Sequence, residues 1–414
     1  MATKSDVLIV GGGIVGVAAA LELAERGARV TLVERDRLGR GCSWANAGWL
    51  TPSLAVPLPA PGMMWKASKW LLDSSSPFYI QPRPSLELAS WLLSFLAATR
   101  RARFERGAAA LVELCRWSLE RFAAWSAAGL DFAFERHGLL AVYESRAALE
   151  GARRTVDLVA RLGVATREMS AEEVATFEPA IVGRQTGAFF YPEDAHCEPA
   201  AAVEAVAGAA RRRGATILED AEVFDLVASD GRIRSARTTR GDFAADEVVL
   251  AVGPWSKALA ARIGLRLPVL GGKGYSLALP ALSPQPGRSL MLAERKVAIT
   301  PRAGGVRIAG TLELVDGDLS ITERRVEAIL AAARGLLALP ERPAVAELWR
   351  GLRPCTPDGL PAIGRARGLK NLWLATGHQM TGLKTAPGTA CLLADLMTGA
   401  PPTFDPTPFR ADRF

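Results

Sequence analysis

The chain of 414 residues is poor in the features that mark several common protein classes. Its five cysteines, Cys42, Cys115, Cys197, Cys355 and Cys391, are widely spaced and odd in number, and no C-x-x-C occurs. That argues against a disulfide framework or a zinc site and fits a reducing compartment. No block of like charges appears. The net charge of +7 comes mostly from scattered arginines, so no nucleic-acid surface is indicated. A mildly basic surface suits anionic substrates or anionic lipid instead. No apolar run reaches the length of about 18 residues that a membrane span needs. The N-terminus enters a strand almost at once, without a basic n-region or a cleavage site, so a cytoplasmic protein is expected. No Ser-His-Asp arrangement and no metal-ligand cluster stands out, and no metal is expected.

What is present is ordinary globular material: 49% hydrophobic and 22% charged residues, in a length that suits two domains or one large discontinuous one. The first fifty residues carry the strongest signal. "DVLIV" (6–10) reads as a buried parallel strand. Gly11, Gly13 and Gly16 follow as G-x-G-x-x-G, then a helix from Ile14 to Arg26 stopped by Gly27. A second strand (28–34) ends in Glu34. Strand, glycine turn, helix, strand and acid together form a dinucleotide-binding unit. Gly11 makes the turn, Gly13 admits the pyrophosphate, Gly16 lets helix and strand pack closely, and the helix N-terminus offers N–H groups to phosphate. Glu34 accepts from ribose hydroxyls and disfavours a 2′-phosphate.

Residues 39–62 show no helical or strand period, yet contain Trp44 and Trp49. An extended flavin needs backbone contact well beyond its pyrophosphate. "SWANAG" therefore reads as the floor under the ribityl chain and ring: Ser43 and Asn46 for hydrogen bonds, Ala45, Ala47 and Gly48 for clearance.

"VLIVGGGIVGVAAALELAERG" followed by "VERDRLGRGCSWANAGWLTPSLAVPLPAPG" resembles the D-amino acid dehydrogenase branch of the D-amino acid oxidase flavoprotein superfamily. The S-x-A-N-A-G string and its proline-rich tail carry the resemblance, which covers nearly the whole chain. It implies FAD, and adds Ile14, Val15, Arg35, Cys42 and Leu50 to the cofactor shell. Related amine oxidases attach flavin to a cysteine. Cys355 lies at an unsuitable distance from "TPDG", so noncovalent FAD is expected.

Further along, the stretch 63–107 is rich in Trp and Leu. Its apolar part, Leu86 to Ala98, reads as buried helix. The competing reading is a peripheral contact with the inner membrane, Trp91 and Phe95 inserted and Arg100, Arg101 and Arg103 on headgroups. Ser170 and Glu173 form a capping box. His196 reads as a turn residue near a helix start, though the resemblance places it near the flavin ring as a substrate contact. Asp230-Gly231 turns a hairpin. The resemblance puts Val223 at the adenine and Ala251, Gly253 and Trp255 beside the dinucleotide.

Lys273 and Tyr275 alternate on one strand face; the Tyr275 hydroxyl either bounds the substrate pocket or is half-exposed on a sheet. A strand at 372–376, a glycine turn and a helix to about Met397 would aim the helix N-terminus at the flavin. Gly377, His378, Thr381, Gly382 and Leu383 would donate backbone N–H groups there, or the unit is plain packing; the resemblance selects the first reading and adds Lys384, with His378 also counted as catalytic. In "GLRP", Arg353 precedes Pro354, and the family binds the substrate carboxylate through the arginine of such a G-x-R-P string. Arg350 falls on the opposite strand face. The residues after Gly382 look more like those of relatives that act on cyclic substrates such as D-proline or hydroxyproline.

The expected fold is α/β: a discontinuous Rossmann-type FAD domain (1–62, 196–265, 346–400), a substrate domain built on an antiparallel sheet plus helices (63–195, 266–345), and a tail (401–414). The expected reaction is oxidation of a D-amino acid, with electrons passing on to a quinone-type acceptor. The alternatives are a dehydrogenase of cyclic imino acids, an oxidase of glycine or D-amino acids using O₂, and a flavin-binding protein without turnover.

Overall fold

The computed structural model describes residues 6–62, 78–81, 84–315 and 317–414. The dinucleotide unit forms as its periodicity predicts: β1 (Asp6–Val10), α1 (Ile14–Glu25) and β2 (Arg29–Val33). β1 pairs in parallel with β2 and with strand Glu247–Leu250, so it is buried on both edges and both faces. The sheet runs, edge to edge, 362–365, 372–376, 247–250, β1, β2 and 216–218. Its strands are parallel except Ala362–Arg365, which is antiparallel to Leu372–Thr376. Helix α1 is apolar on nearly every side because it lies against helices Pro199–Arg212 and Gly382–Thr398 as well as the sheet. Gly16 permits this closeness: a Cβ there would fall on the carbonyl oxygen of Gly11.

A second, nine-stranded sheet stands apart from the first. Its centre is antiparallel: strands Glu347–Cys355, Leu270–Pro280, Gly305–Val315 and Val297–Arg302 in that order. It is not purely antiparallel, since Ser289–Leu292 pairs in parallel with Leu139–Tyr143, and Phe78–Ile80 with Gly305–Val315. One face packs on helix Glu323–Arg334 through Leu277, Ile308, Ile329 and their neighbours. The other faces the dinucleotide-binding sheet. A small antiparallel sheet carries the Asp230-Gly231 hairpin, both residues left-handed as a tight turn requires.

Two expectations differ from this architecture. Strand Glu347–Cys355, placed with the FAD domain by the boundary at 346, is a strand of the large sheet. Helix Arg101–Ala127, placed in the substrate domain, packs on helix Gly382–Thr398 of the other. Helix Leu86–Ala98 is buried through Trp91 and Phe95, as its first reading expects, and these two residues are not available for insertion into a membrane. They stack at 5.4 Å, and Trp91 Nε1 donates to the Pro268 carbonyl. The outward face of that helix carries Leu86, Leu93 and Leu96 instead. Residues 63–77, 82 and 83 of the same stretch lie outside the described residues. The capping box at Ser170 and Glu173 is present as expected.

Because Gly16 sets the distance between α1 and the glycine turn, Gly16→Ala should cost roughly 1–3 kcal/mol, the range for overpacking a tight contact. The thermal midpoint should fall and less FAD should copurify; an unchanged midpoint would show that the turn has room to relax.

Candidate active site

One long cavity of about 710 Å³ runs between the two sheets. Its first end is built by the glycine turn. Gly11, Gly13, Ile14 and Val15 line it, with Glu34 and Arg35 from the end of β2 and Val223 from the small sheet. Gly13 occupies the N-cap of α1 and offers no side-chain cap. Glu34 is fixed by backbone donors, Gly12 N–H at 2.6 Å and Asp36 N–H at 3.1 Å. The Arg35 guanidinium stacks 3.8 Å from the Trp255 ring. Ala251 and Gly253 complete this end.

The middle is the 42–49 loop. Cys42, Ser43, Ala45, Asn46 and Ala47 line the cavity. Their polar groups are largely committed within the protein. Ser43 Oγ accepts from Ile14 N–H (3.1 Å), and Asn46 Oδ1 accepts from Gly48 N–H (3.0 Å). The loop is strapped to the large sheet. Trp44 Nε1 donates to Glu347 Oε1 (2.8 Å), Thr300 Oγ1 to the Ala47 carbonyl (2.6 Å), and the buried Arg307 to the Asn46 carbonyl (3.1 Å) and Glu198 (2.9 Å). Cys42 Sγ donates to the Leu352 carbonyl, and burial pushes its thiol up to about 12.

At the far end, helix Gly382–Thr398 begins at the cavity wall with Gly382, Leu383 and Lys384. The N–H groups of these positions have no intrahelical acceptor. Thr381 Oγ1 donates to the His378 carbonyl rather than capping the helix. Lys384 Nζ points away to the 51–54 turn, donating to Thr51 Oγ1 (2.8 Å) and the carbonyls of Thr51 and Leu54. His378 lies on the wall, but its Nε2 meets Thr389 Oγ1 at 3.0 Å and burial pulls it down to about 3. It is a fixed neutral group and a weak base, not the proton acceptor that a catalytic assignment implies.

Arg353 lies half-buried on the cavity wall, and partial removal of its guanidinium from water lowers its pKa. Its Nη1 donates to the Thr311 carbonyl at 2.7 Å. No acid pairs with it among the described residues. Thr311 is left-handed (φ 65°) at an irregularity in the pairing of strands Leu270–Pro280 and Gly305–Val315, a bulge that turns its carbonyl toward the guanidinium. Gly274 makes space: a Cβ there would fall inside the Arg353 guanidinium. Arg350 is exposed and donates to the Leu319 carbonyl.

Two assigned residues have their polar groups engaged elsewhere. Tyr275 lines the cavity, but its hydroxyl donates to Glu313 (2.7 Å) and accepts from Thr322 N–H, on the face that it shares with Lys273 and that helix Glu323–Arg334 covers; it is buried, not half-exposed. His196 pairs with Trp49 in a two-residue strand and sits beside Glu135 (3.4 Å), off the cavity wall. Gly16, Gly48, Leu50, Gly377 and Thr381 also lie behind the wall and act through packing. Sequence reasoning missed Thr311, Gly274, Arg307 and Trp349. Only the glycine-rich "GGKGY" hinted at close approach there.

The cavity fits a long dinucleotide cofactor on its own terms. It joins a glycine turn at a helix start whose N-cap residue has no side chain to a second helix start, and beside the latter stands a half-buried guanidinium without a counter-ion among the described residues. Residues 6–396 match the family described as FAD dependent oxidoreductase. The chain is 33% identical over 417 residues to a D-amino acid dehydrogenase of Chromohalobacter salexigens, covering 99% of both chains. It is 32% identical over 400 residues to a D-amino acid dehydrogenase of Neisseria meningitidis, covering 95% of this chain and 96% of the relative. Glycine oxidase from Geobacillus kaustophilus superposes with a TM-score of 0.80 at 27% identity over 99% of both chains.

The buried His378 also makes stability pH-dependent. Its folded value lies below the unfolded one, so the unfolded chain takes up the proton first as pH falls. The contribution is intact above about pH 6.5 and is lost toward about pH 3, with a slope approaching about 1.4 kcal/mol per pH unit. His378→Gln should flatten the acid limb of urea-unfolding free energy measured against pH; an identical slope in the variant would contradict the assignment.

Proposed function

As the chain belongs to the FAD dependent oxidoreductase family, we propose that it is a D-amino acid dehydrogenase, oxidising the α-carbon of its substrate to an imino acid. The carrying observation is the Arg353 guanidinium, half-buried on the cavity wall with a carbonyl but, among the described residues, no carboxylate to answer it. A substrate carboxylate supplies the missing charge, and the planar fork takes it in two parallel hydrogen bonds. Thr311 fixes the fork and so the distance of the α-carbon from the cofactor. FAD, when bound, takes up the electron pair and the α-hydrogen of the amino acid. Gly11, Gly13, Ile14, Val15 and Glu34 hold its dinucleotide half, and the 42–47 loop underlies the remainder. The N–H groups of Gly382, Leu383 and Lys384 favour negative charge at the far end. The raised Cys42 thiol is a poor nucleophile, in keeping with noncovalent FAD. Neither His378 nor Lys384 is placed to take the amine proton, so the substrate enters as the neutral amine. The imine leaves and hydrolyses in water to a keto acid and ammonia.

Arg353→Ala should retain FAD yet lose about 100-fold or more in kcat/KM, the value of about 3 kcal/mol for a charge-assisted pair in a dry site. Anaerobic bleaching of the flavin near ~450 nm by D-alanine, D-proline or glycine reads both the activity and the substrate type. Normal turnover by the variant would remove the carboxylate role. Likeness to a glycine oxidase favours O₂ as the second reading of the acceptor; rapid reoxidation by air would select it.

For the acceptor we propose a quinone reached at an anionic membrane surface. No described helix is long and apolar enough to cross a membrane. The support is the outward face of helix Leu86–Ala98, where Leu86 (92% exposed), Leu93 and Leu96 stand beside exposed Arg100, Arg101 and Arg103. The holoenzyme should sediment with vesicles containing anionic phospholipid and not with purely zwitterionic ones, and a Leu86→Glu, Leu93→Glu double variant should stay in the supernatant. No binding, or equal binding by the variant, would overturn this contact.

A further inference from the structure

Strands Leu270–Pro280 and Glu347–Cys355 pair so that Gly274 stands opposite Gly351, and Ser276 opposite Trp349. Trp349, Gly351 and Arg353 are two residues apart in turn and share the face that meets the cavity. The two facing glycines are each covered by a planar group. A Cβ on Gly274 would fall inside the Arg353 guanidinium, and a Cβ on Gly351 would fall inside the six-membered ring of the Trp349 indole. Guanidinium and indole therefore lie side by side on bare backbone, and both reach the cavity.

The charge around them is one-sided. The acids that line the cavity among the described residues are Glu34, Asp36 and Glu222, all at the glycine-turn end. Glu347, the acid nearest Trp349 in sequence, is engaged by Trp44, and Glu313 lies on the opposite face with Tyr275. A carboxylate held by Arg353 thus has an aromatic surface for its neighbour, and no described carboxylate lines this end of the cavity to meet a cationic side chain.

We propose that Trp349 is the specificity-determining residue of this site: its indole is the wall on which the substrate side chain lies, and the substrates it selects are amino acids with uncharged, apolar side chains. This rests on the carboxylate role of Arg353. With the carboxylate on the guanidinium, the side chain gains by leaving water against the ring. An ammonium-tipped chain is at a disadvantage because it gives up hydration without a counter-charge.

Simple carboxylates test this without turnover. Acetate, hexanoate and 6-aminohexanoate are titrated into the FAD-loaded protein and followed by perturbation of the flavin absorbance. Hexanoate should bind the native protein on the order of tenfold more tightly than acetate, and about tenfold more tightly than 6-aminohexanoate. Trp349→Ala should shrink the hexanoate-to-acetate ratio several-fold. Gly351→Ala, which keeps the indole but displaces it, should do the same. Arg353→Ala should weaken all three ligands together. If Arg353→Ala binds them normally, the carboxylate reading fails. If it loses them while Trp349→Ala and Gly351→Ala keep the native ratio, the Trp349 proposal alone fails. Should neither wall variant fold, the native ratios still decide: equal affinity for acetate and hexanoate, or preference for 6-aminohexanoate, overturns it.

Discussion

A half-buried positive charge with no acid partner among the described residues is the constraint around which the far end of the cavity is organised. Removing a guanidinium from water costs several kcal/mol unless its N–H groups are answered. In this protein one neighbour does so, the Thr311 carbonyl. That carbonyl is in position only because its residue adopts a left-handed conformation at a break in strand pairing. The facing strand must then present glycine, since any side chain at Gly274 would occupy the guanidinium's place. A local irregularity, a bare backbone position and an unmet charge are three aspects of one arrangement.

The same strand governs the cofactor side. Arg307 and Thr311 lie four residues apart on strand Gly305–Val315; one carries the Asn46 carbonyl of the 42–49 loop, the other the anchor Arg353. The loop that lines the middle of the cavity and the guanidinium at its far end are therefore both held from one strand, at positions four residues apart. Thr300 and Glu347 on neighbouring strands reinforce this hold through Ala47 and Trp44.

How much of this could be read from the chain follows from the range of each signal. The β1-α1-β2 unit and the Asp230-Gly231 hairpin were legible because their cues are local: apolar runs, a helical period, turn residues at fixed offsets. Arg353 was reachable because Gly, Arg and Pro sit together in one short string. The direction of the Tyr275 hydroxyl was not legible because alternation along a strand gives two faces without saying which one a helix covers. Trp91 and Phe95 were open to two readings for a related reason: a short amphipathic helix shows its apolar residues but not which of them find a partner. The boundary at 346 failed because strand Glu347–Cys355 joins a sheet whose other members precede it by tens of residues. The Thr311 bulge has no sequence signature, since threonine is an ordinary strand residue.

The straps on the 42–49 loop also bear on the order in which the molecule can be completed. Trp44, Ala47 and Trp49 take their hydrogen bonds from residues 251 to 303 positions downstream. At roughly 5–20 residues per second, a ribosome needs on the order of 15–60 s to make that intervening chain. The glycine turn emerges early, but the straps on the loop that follows it close only after Thr300, Arg307 and Glu347 have been made. A chain truncated before Thr300 would therefore carry the whole nucleotide motif and lack every one of these holds on the 42–49 loop.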